Sequence, residues 1–319
     1  MDLLTAMLLG GGGGGGGGGP ITVGDVFSVD IYTGNRTVLT ITNGIDLAGE
    51  GGMVWILARG NNGQSNNVID TERGAGNHLF TNSTTASISF PLGLTSFNTA
   101  GFTLGSNSQT NFNDPYASWT FRKAPRFFDV VTYTGDGVAG RQVAHSLGLD
   151  VGMILYKDLT NPLNWAVYHR AAGAALAGVI NSAGAFFTSA SLWNTAPSSS
   201  VFTIDTASNI NANGDNYAAY VFAHDTTTEG FIYCDSFITD GSGNATIVTG
   251  WPTQYVMLKA SSVVGNWMIN DSTRANETLF ANLAALNPSS SNTSFTATGF
   301  TATGLSANET YIYMAIRAE

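Results

Sequence analysis

The sequence predicts an all-β protein made of three tandem β-sandwich modules of about 95 residues, preceded by an extended poly-glycine arm. Three observations lead to this prediction. The same landmarks recur at nearly constant spacing, short runs of β-branched and aromatic residues alternate with Gly, Asn, Ser and Asp turns, and helical periodicity is nearly absent. AAGAALAGVI at 171–180 is the only stretch compatible with a short helix.

Residues 1–25 form the predicted arm. Met1 to Leu9 are apolar but far shorter than the about 20 residues that span a bilayer, and they lack the basic region of a signal peptide. Ten glycines follow. Ordering them costs about 1–2 kcal/mol per residue in backbone entropy, so we expect a sister subunit or a socket in a larger particle to hold the run. The predicted anchor residues are Leu3, Leu4, Met7, Leu8, Leu9, Gly10, Gly19 and Pro20.

The repeat divides the rest of the chain into copies at 26–123, 124–228 and 229–319. Tyr32, Tyr133 and Phe237 align, and each is followed by a turn of Gly, Asn or Asp. The offsets agree, since 133 − 32 = 101 and, for the shared Phe-Thr step, 202 − 102 = 100. Polar junctions read RKAPR at 122–126 and HDTTTEG at 224–230. Such regularity predicts one supersecondary unit used three times.

Each copy has a central apolar strand and a closing aromatic strand. The central strands read GMVWILAR, GMILYK and YVMLK, and the closing strands read YASWTF, YAAYVF and TYIYMAI. Each module is expected to bury one face of six or seven strands as a small sandwich.

Composition excludes several classes of function. Charged residues make up 11% of the chain, the net charge is −10, and no basic cluster is present. Nucleic acids and anionic membranes are therefore not expected partners. Cys234 is the single cysteine, which excludes an internal disulfide and predicts a small buried side chain.

No catalytic or metal motif stands out. His78, His145, His169 and His224 lie in no metal-ligand spacing, and no nucleophile elbow occurs. His169 aligns with Asp70 and Asp271, which favours a structural role at the surface. The Asn-rich run 209–214 superficially resembles the start of a calcium loop but carries no carboxylate, and it is predicted to be a turn. We expect no enzyme activity, no metal and no cofactor.

Two kinds of candidate site residue remain. Asp70 with Arg73, and Asp271 with Arg274, share an i,i+3 spacing and predict ion pairs that close a turn, exposed or half-buried. Trp193 and Trp251 lie near Gly, Asn or Pro in predicted turns, and are the candidates for exposed ligand contacts such as stacking on a sugar ring.

The runs FFDVVTYTGDGVAGRQVAHSLGLDVGMILYK, NWAVYHR and TYIYMAIR resemble a tail-fibre-like repeat of marine phage and cyanophage virion proteins. The resemblance covers nearly all of 26–319 and implies a non-catalytic, all-β virion component on the particle surface, assembled in the host cytoplasm. We expect a fibre- or spike-like homo-oligomer, trimeric with other virion proteins as partners, that adheres to the host surface. The alternatives are a capsid decoration, head-fibre or filament-forming protein without receptor binding, and a lectin-like module that binds a host glycan.

Overall fold

The computed structural model describes residues 20–60, 63–274, 276–284 and 289–319, with side chains from 291 onward in the last range. The all-β sandwich-type prediction is confirmed: 45% of the described residues are strand and 5% are helix, arranged in several antiparallel sheets. The described residues contain no helix that is both long and apolar enough to cross a membrane.

The first copy begins after a 3-10 turn at Val23–Asp25 and contains one helical turn, α1 (Leu47–Glu50), which is capped by the Asp46 carboxylate. Its strands are β1 (Phe27–Thr33), β2 (Leu39–Thr42), β3 (Gly52–Ala58), β4 (Asn67–Asp70), β5 (Asn77–Phe80), β6 (Ile88–Ser89), β7 (Leu94–Asn98), β8 (Gly101–Leu104) and β9 (Pro115–Arg122).

The second copy has a helical turn at α2 (Ser208–Asn211). Its strands are β10 (Phe128–Thr134), β11 (Arg141–Ala144), β12 (Val151–Asp158), β13 (Ala166–His169), β14 (Leu176–Val179), β15 (Phe187–Thr188), β16 (Val201–Ile204) and β17 (Asn216–Ala223). The stretch 171–180 is not a helix. It is a turn followed by β14, whose Gly178 and Val179 pair with Val167 and Ala166 of β13.

The third copy follows the same plan, with a 3-10 turn at Ser272–Arg274. Its strands are β18 (Ile232–Ile238), β19 (Ala245–Val248), β20 (Thr253–Ala260), β21 (Met268–Asp271), β22 (Glu277–Phe280), β23 (Ser289–Ser290), β24 (Thr293–Thr296), β25 (Gly299–Ala302) and β26 (Thr310–Arg317).

Each copy folds into a large six-stranded sheet and a small sheet. The large sheets have equivalent orders, β1-β9-β3-β4-β5-β6, β10-β17-β12-β13-β14-β15 and β18-β26-β20-β21-β22-β23. The small sheets are β2-β8-β7, β11-β16 and β19-β25-β24. The second copy lacks the third strand of its small sheet among the residues described.

Both faces of each large sheet are buried, so the expectation that each module buries one face is wrong. In the first copy, one face of β3 presents Val54 and Ile56 to the small sheet, and the other presents Met53 and Trp55 to the remaining copies. All residues of β3 and β12 are buried, whereas the small-sheet strands β2 and β11 bury one residue in four. This explains the unbroken apolar runs, which are typical of strands covered on both sides.

The faces of the large sheets that point away from the small sheets meet in one central core. This core contains Trp55, Phe121 and residues of the other two copies, including Phe222 and Tyr255. The Phe121 ring lies 5.5 Å from that of Phe222 and 6.2 Å from that of Tyr255. The three copies therefore surround a common apolar centre, which none of them could enclose alone.

Candidate functional site in the contacts between copies

The residue directly before the strand that follows each central strand links the copies in a ring. Its side-chain N–H donates to an equivalent backbone carbonyl of a neighbouring copy each time. The bonds join Asn66 Nδ2 to Phe280 O, Trp165 Nε1 to Phe80 O and Trp267 Nε1 to Val179 O, each at 2.9 Å. The first copy thus contacts the third, the second contacts the first, and the third contacts the second. This cyclic order is that of a trimer with approximate threefold symmetry, formed within one chain.

A second ring of contacts uses the position aligned as Asp70, His169 and Asp271. Tyr220 donates its hydroxyl to Asp70 Oδ2 at 2.7 Å, and Trp119 donates Nε1–H to Asp271 Oδ2 at 3.0 Å. His169 Nε2 lies 3.1 Å from the carbonyl oxygen of Tyr313. Each of these hydrogen bonds joins two copies, so the residues at this position hold the ring together and do not form a ligand site.

Both predicted ion pairs form, but they are buried instead of exposed or half-buried. Arg73 Nε lies 2.6 Å from Asp70 Oδ2, with side chains 5% and 0% exposed. Arg274 Nη2 lies 2.5 Å from Asp271 Oδ2, and both side chains are fully buried. The Arg274 guanidinium also lies over the Trp119 ring, 5.2 Å from its centroid. Each pair is thus inside an interface between copies, where an unpaired charge would be costly.

His169 is structural, as predicted, but its expected place at the surface is wrong, because its side chain is 1% exposed. Burial lowers the pKa of His169 to about 4, and the Tyr313 carbonyl opposes this shift. Nδ1 accepts a hydrogen bond from the Ala171 N–H, so Nε2 carries the proton that it donates to Tyr313. The neutral imidazole replaces the ion pair that the other two copies use.

Trp193 and Trp251 are not exposed contact residues, so that prediction is wrong. Their side chains are 2% and 5% exposed. Trp193 stacks on Tyr156 with ring centroids 5.4 Å apart, and Trp251 lies in the sandwich core of the third copy with Val256. Polar residues beside a tryptophan in the sequence do not determine where its ring points, because a turn can direct the ring inward.

The remaining predicted residues have mixed outcomes. Of the anchor residues, Leu3 to Gly19 lie outside the described part of the chain, and Pro20 is exposed. Cys234 is buried as predicted, and burial raises the pKa of its thiol well above the usual range. The Asn-rich run is a turn in which Asn211 Nδ2 donates to the carbonyls of Val138 and Asp205. Asn111 has the equivalent role in the first copy, where it bonds Gly105 O.

The grooves between copies were not predicted from the sequence. The strands β1, β10 and β18 each form one edge of a large sheet, and each contacts a neighbouring copy. Two adjoining cavities of 500 and 450 Å³ follow β10 and share Glu72 of the first copy and Thr132 of the second. A 500 Å³ cavity beside β1 is lined by Val29 of the first copy and by Thr273 of the third. Thr273 occupies the position equivalent to Glu72, so the grooves are related by the same threefold order.

Within the part of the chain that the structure describes, no group of three or more His, Cys, Asp or Glu side chains could hold a metal ion. The polar side chains at the interfaces mainly satisfy one another or backbone carbonyls. Their chemistry is that of an assembled interface, in which burial requires partners for polar groups.

Comparison with known proteins gives a family but no activity. No curated protein matches this sequence. One family model matches residues 22–319, and so spans all three copies as a single unit. The chain therefore belongs to the family described as a domain of unknown function, DUF7483.

Proposed function

We propose that this protein is a structural, non-catalytic component of a phage-type virion, a fibre- or spike-like subunit that displays a rigid three-copy head and adheres to the host surface. The observation that carries the proposal is the closed ring of copies around one core. A head of this kind needs no ligand or catalytic site to be stable, and it offers three similar outer surfaces for weak, repeated contacts.

The positions of the chain ends support an arm-and-head arrangement. Gly24 N donates to Glu319 Oε1 at 3.1 Å, so the two ends of the head lie side by side. The loops after β1, β10 and β18 lie at the other ends of these strands, about 20 Å away for a seven-residue strand. An arm formed by residues 1–20 would therefore hold one end of the head and leave the opposite loops free to contact a surface.

The mass of the assembled species tests the arm. We expect the full chain to be a homo-oligomer, and a chain that starts at Pro20 to be a monomer, because its central faces are already buried within one chain. Sedimentation or light scattering of both proteins measures this. An oligomer of unchanged size after the deletion would contradict the anchoring role of residues 1–20.

Adhesion is tested separately by applying the head, residues 20–319, to a glycan array and to host cells in competition with purified particles. We expect saturable binding to a surface component and slower particle adsorption. Immunogold labelling of particles with an antibody to the head should mark their surface. Labelled particles without host binding would favour a decoration protein, and unlabelled particles would contradict the virion assignment.

A further inference from the structure

The three edge strands differ in the state of their outward backbone groups. Phe127 O and Gly135 N, which flank β10, form hydrogen bonds on the side of β17. Odd-numbered residues of β10 therefore face β17, and the even-numbered Val130 and Thr132 direct their N–H and C=O groups away from the sheet. Within the described residues, neither has a hydrogen-bond partner on that side. The same alternation leaves Val29 and Ile31 of β1 unpaired. Both strands therefore offer free backbone groups at these residues, beside a groove. In β10 the free segment is short, because the outward carbonyls of Phe128 and Thr134 already accept from Ala124 N and Arg141 Nη1.

The third edge is filled by side chains of the protein itself. In β18, the outward N–H of Cys234 donates to His224 Nδ1 at 3.2 Å, and its C=O accepts from Arg170 Nη1 at 3.5 Å. The next outward N–H, on Ser236, donates to Asp235 Oδ1 at 2.8 Å. Along this edge His224 is an acceptor, Arg170 is a donor and Asp235 is a second acceptor. This alternation of acceptor and donor is the one that an extended peptide backbone supplies.

The charged side chains that line the two open grooves indicate what kind of ligand fits them. Among the described residues, the β1 groove is lined by Asp25 and Glu319 and by no cationic side chain. The β10 groove is lined by Arg73, whose charge is balanced by the buried Asp70, and by Lys123, which lies 2.7 Å from Glu72 and 3.5 Å from Asp129. One unbalanced positive charge therefore faces two carboxylates in that groove. Both grooves carry excess negative charge, which favours a ligand with a cationic side chain.

We propose that the grooves along β1 and β10 bind extended peptide segments of a partner protein by strand addition, with a lysine or arginine of the partner facing the acidic wall. The partner strand would donate to and accept from the backbone of Val29 and Ile31 in one groove and of Val130 and Thr132 in the other. The β18 groove is closed by Arg170, His224 and Asp235. This gives two sites per chain, and it does not depend on the virion assignment.

The test uses the full chain and a fluorescein-labelled heptapeptide of alternating threonine and valine with a central lysine. Fluorescence anisotropy and a stoichiometric titration should give two sites per chain. Replacement of the central lysine by glutamate should weaken binding at least tenfold. A peptide methylated on its backbone nitrogens, which cannot donate, should not bind. Absence of saturable binding by the parent peptide, or equal binding by the methylated one, would overturn the proposal.

Matched proline variants locate the sites, because proline removes an outward N–H without removing a bond of the sheet. Ile31→Pro and Thr132→Pro should each abolish one site, and Ser236→Pro at the equivalent position of the closed groove should abolish none. The triple variant Arg170→Ala, His224→Ala, Asp235→Ala should raise the stoichiometry from two to three. Circular dichroism checks the fold of each variant, and retention of both sites by folded Ile31→Pro, Thr132→Pro protein would refute the assignment.

Removal of residues 1–19 identifies the natural occupant. If a partner protein fills the grooves, the chain that starts at Pro20 should bind the probe as tightly as the full chain. Tighter binding after the deletion would show that the leading segment of the chain competes for the grooves, and would overturn the assignment to a partner.

Discussion

The two interfaces that the third copy forms with the other copies bury polar side chains at equivalent positions, but with different chemistry. Where the first copy meets the third, the buried Asp271–Arg274 pair accepts a hydrogen bond from Trp119. Where the second meets the third, the neutral imidazole of His169 bonds the Tyr313 carbonyl. Ala172 stands in the second copy where the others have Arg73 and Arg274. The ring therefore needs a hydrogen-bonded polar side chain at this position but not a charged one, since neither arrangement leaves a buried charge unpaired.

Loss of one partner from the buried pair should produce the largest effect. Arg274→Met leaves the Asp271 carboxylate buried without its cation, so we expect the free energy of unfolding to fall by about 3–5 kcal/mol. Urea denaturation measures this. The double variant Asp271→Leu, Arg274→Met removes both charges and should recover much of the loss. A single variant as stable as the parent would show that the pair is not effectively desolvated.

Acid should destabilise the histidine interface. Burial lowers the pKa of His169 to about 4, below its value of about 6.5 in an unfolded chain. Between these values the unfolded state binds more protons, so stability present above pH 6.5 is lost as the pH falls towards 4, by about 3 kcal/mol from this residue. Urea denaturation at several pH values should show a smaller slope for His169→Gln than for the parent. The variant His145→Gln is the control, since His145 is less deeply buried, at 9% exposed against 1% for His169. An unchanged slope in His169→Gln would contradict the neutral, buried state.

The hydrogen bond between the second and first copies should have an intermediate effect. Tyr220→Phe removes the hydroxyl that donates to Asp70 Oδ2 at 2.7 Å and keeps the ring. We expect a loss of about 1.5–3 kcal/mol, because the acceptor is charged. Tyr311→Phe in the closing strand of the third copy is a suitable comparison, since that hydroxyl accepts from Ser306 N in a turn of its own copy. Equal losses would show that the contact between copies has no special weight.

The half-buried ion pair between the first and third copies should have the smallest effect. Arg59 Nη2 lies 2.6 Å from Glu277 Oε1, but the side chains are 18% and 28% exposed. Arg59→Met should therefore cost less than about 1 kcal/mol, and the loss should shrink in high salt. A loss as large as that of Arg274→Met would mean that closure of the ring depends on this pair and not on the buried one.

Much of the fold could be predicted from the sequence, because local patterns determine it. The constant spacing of Tyr32 and Tyr133, the turn residues after them and the β-branched runs predicted a repeated all-β unit. The Asp70–Arg73 and Asp271–Arg274 pairs were also predictable, since an i,i+3 spacing brings both side chains to one turn. The unbroken apolar run of β3 is typical of a strand buried on both faces, but the sequence-based expectation was one buried face, because nothing in the run shows which surface covers the second.

Local sequence patterns specify the strands, the turns and the repetition, because these depend on neighbours within a few residues. Only in the folded chain do the copies close into a ring and Trp193, Trp251 and His169 become buried. The fold likewise leaves two edge strands open, while Arg170, His224 and Asp235 fill the third. These features depend on residues about 100 positions apart meeting in space. Sequence patterns do not encode that meeting, because the free energy of burying the shared face is gained only when all copies are present.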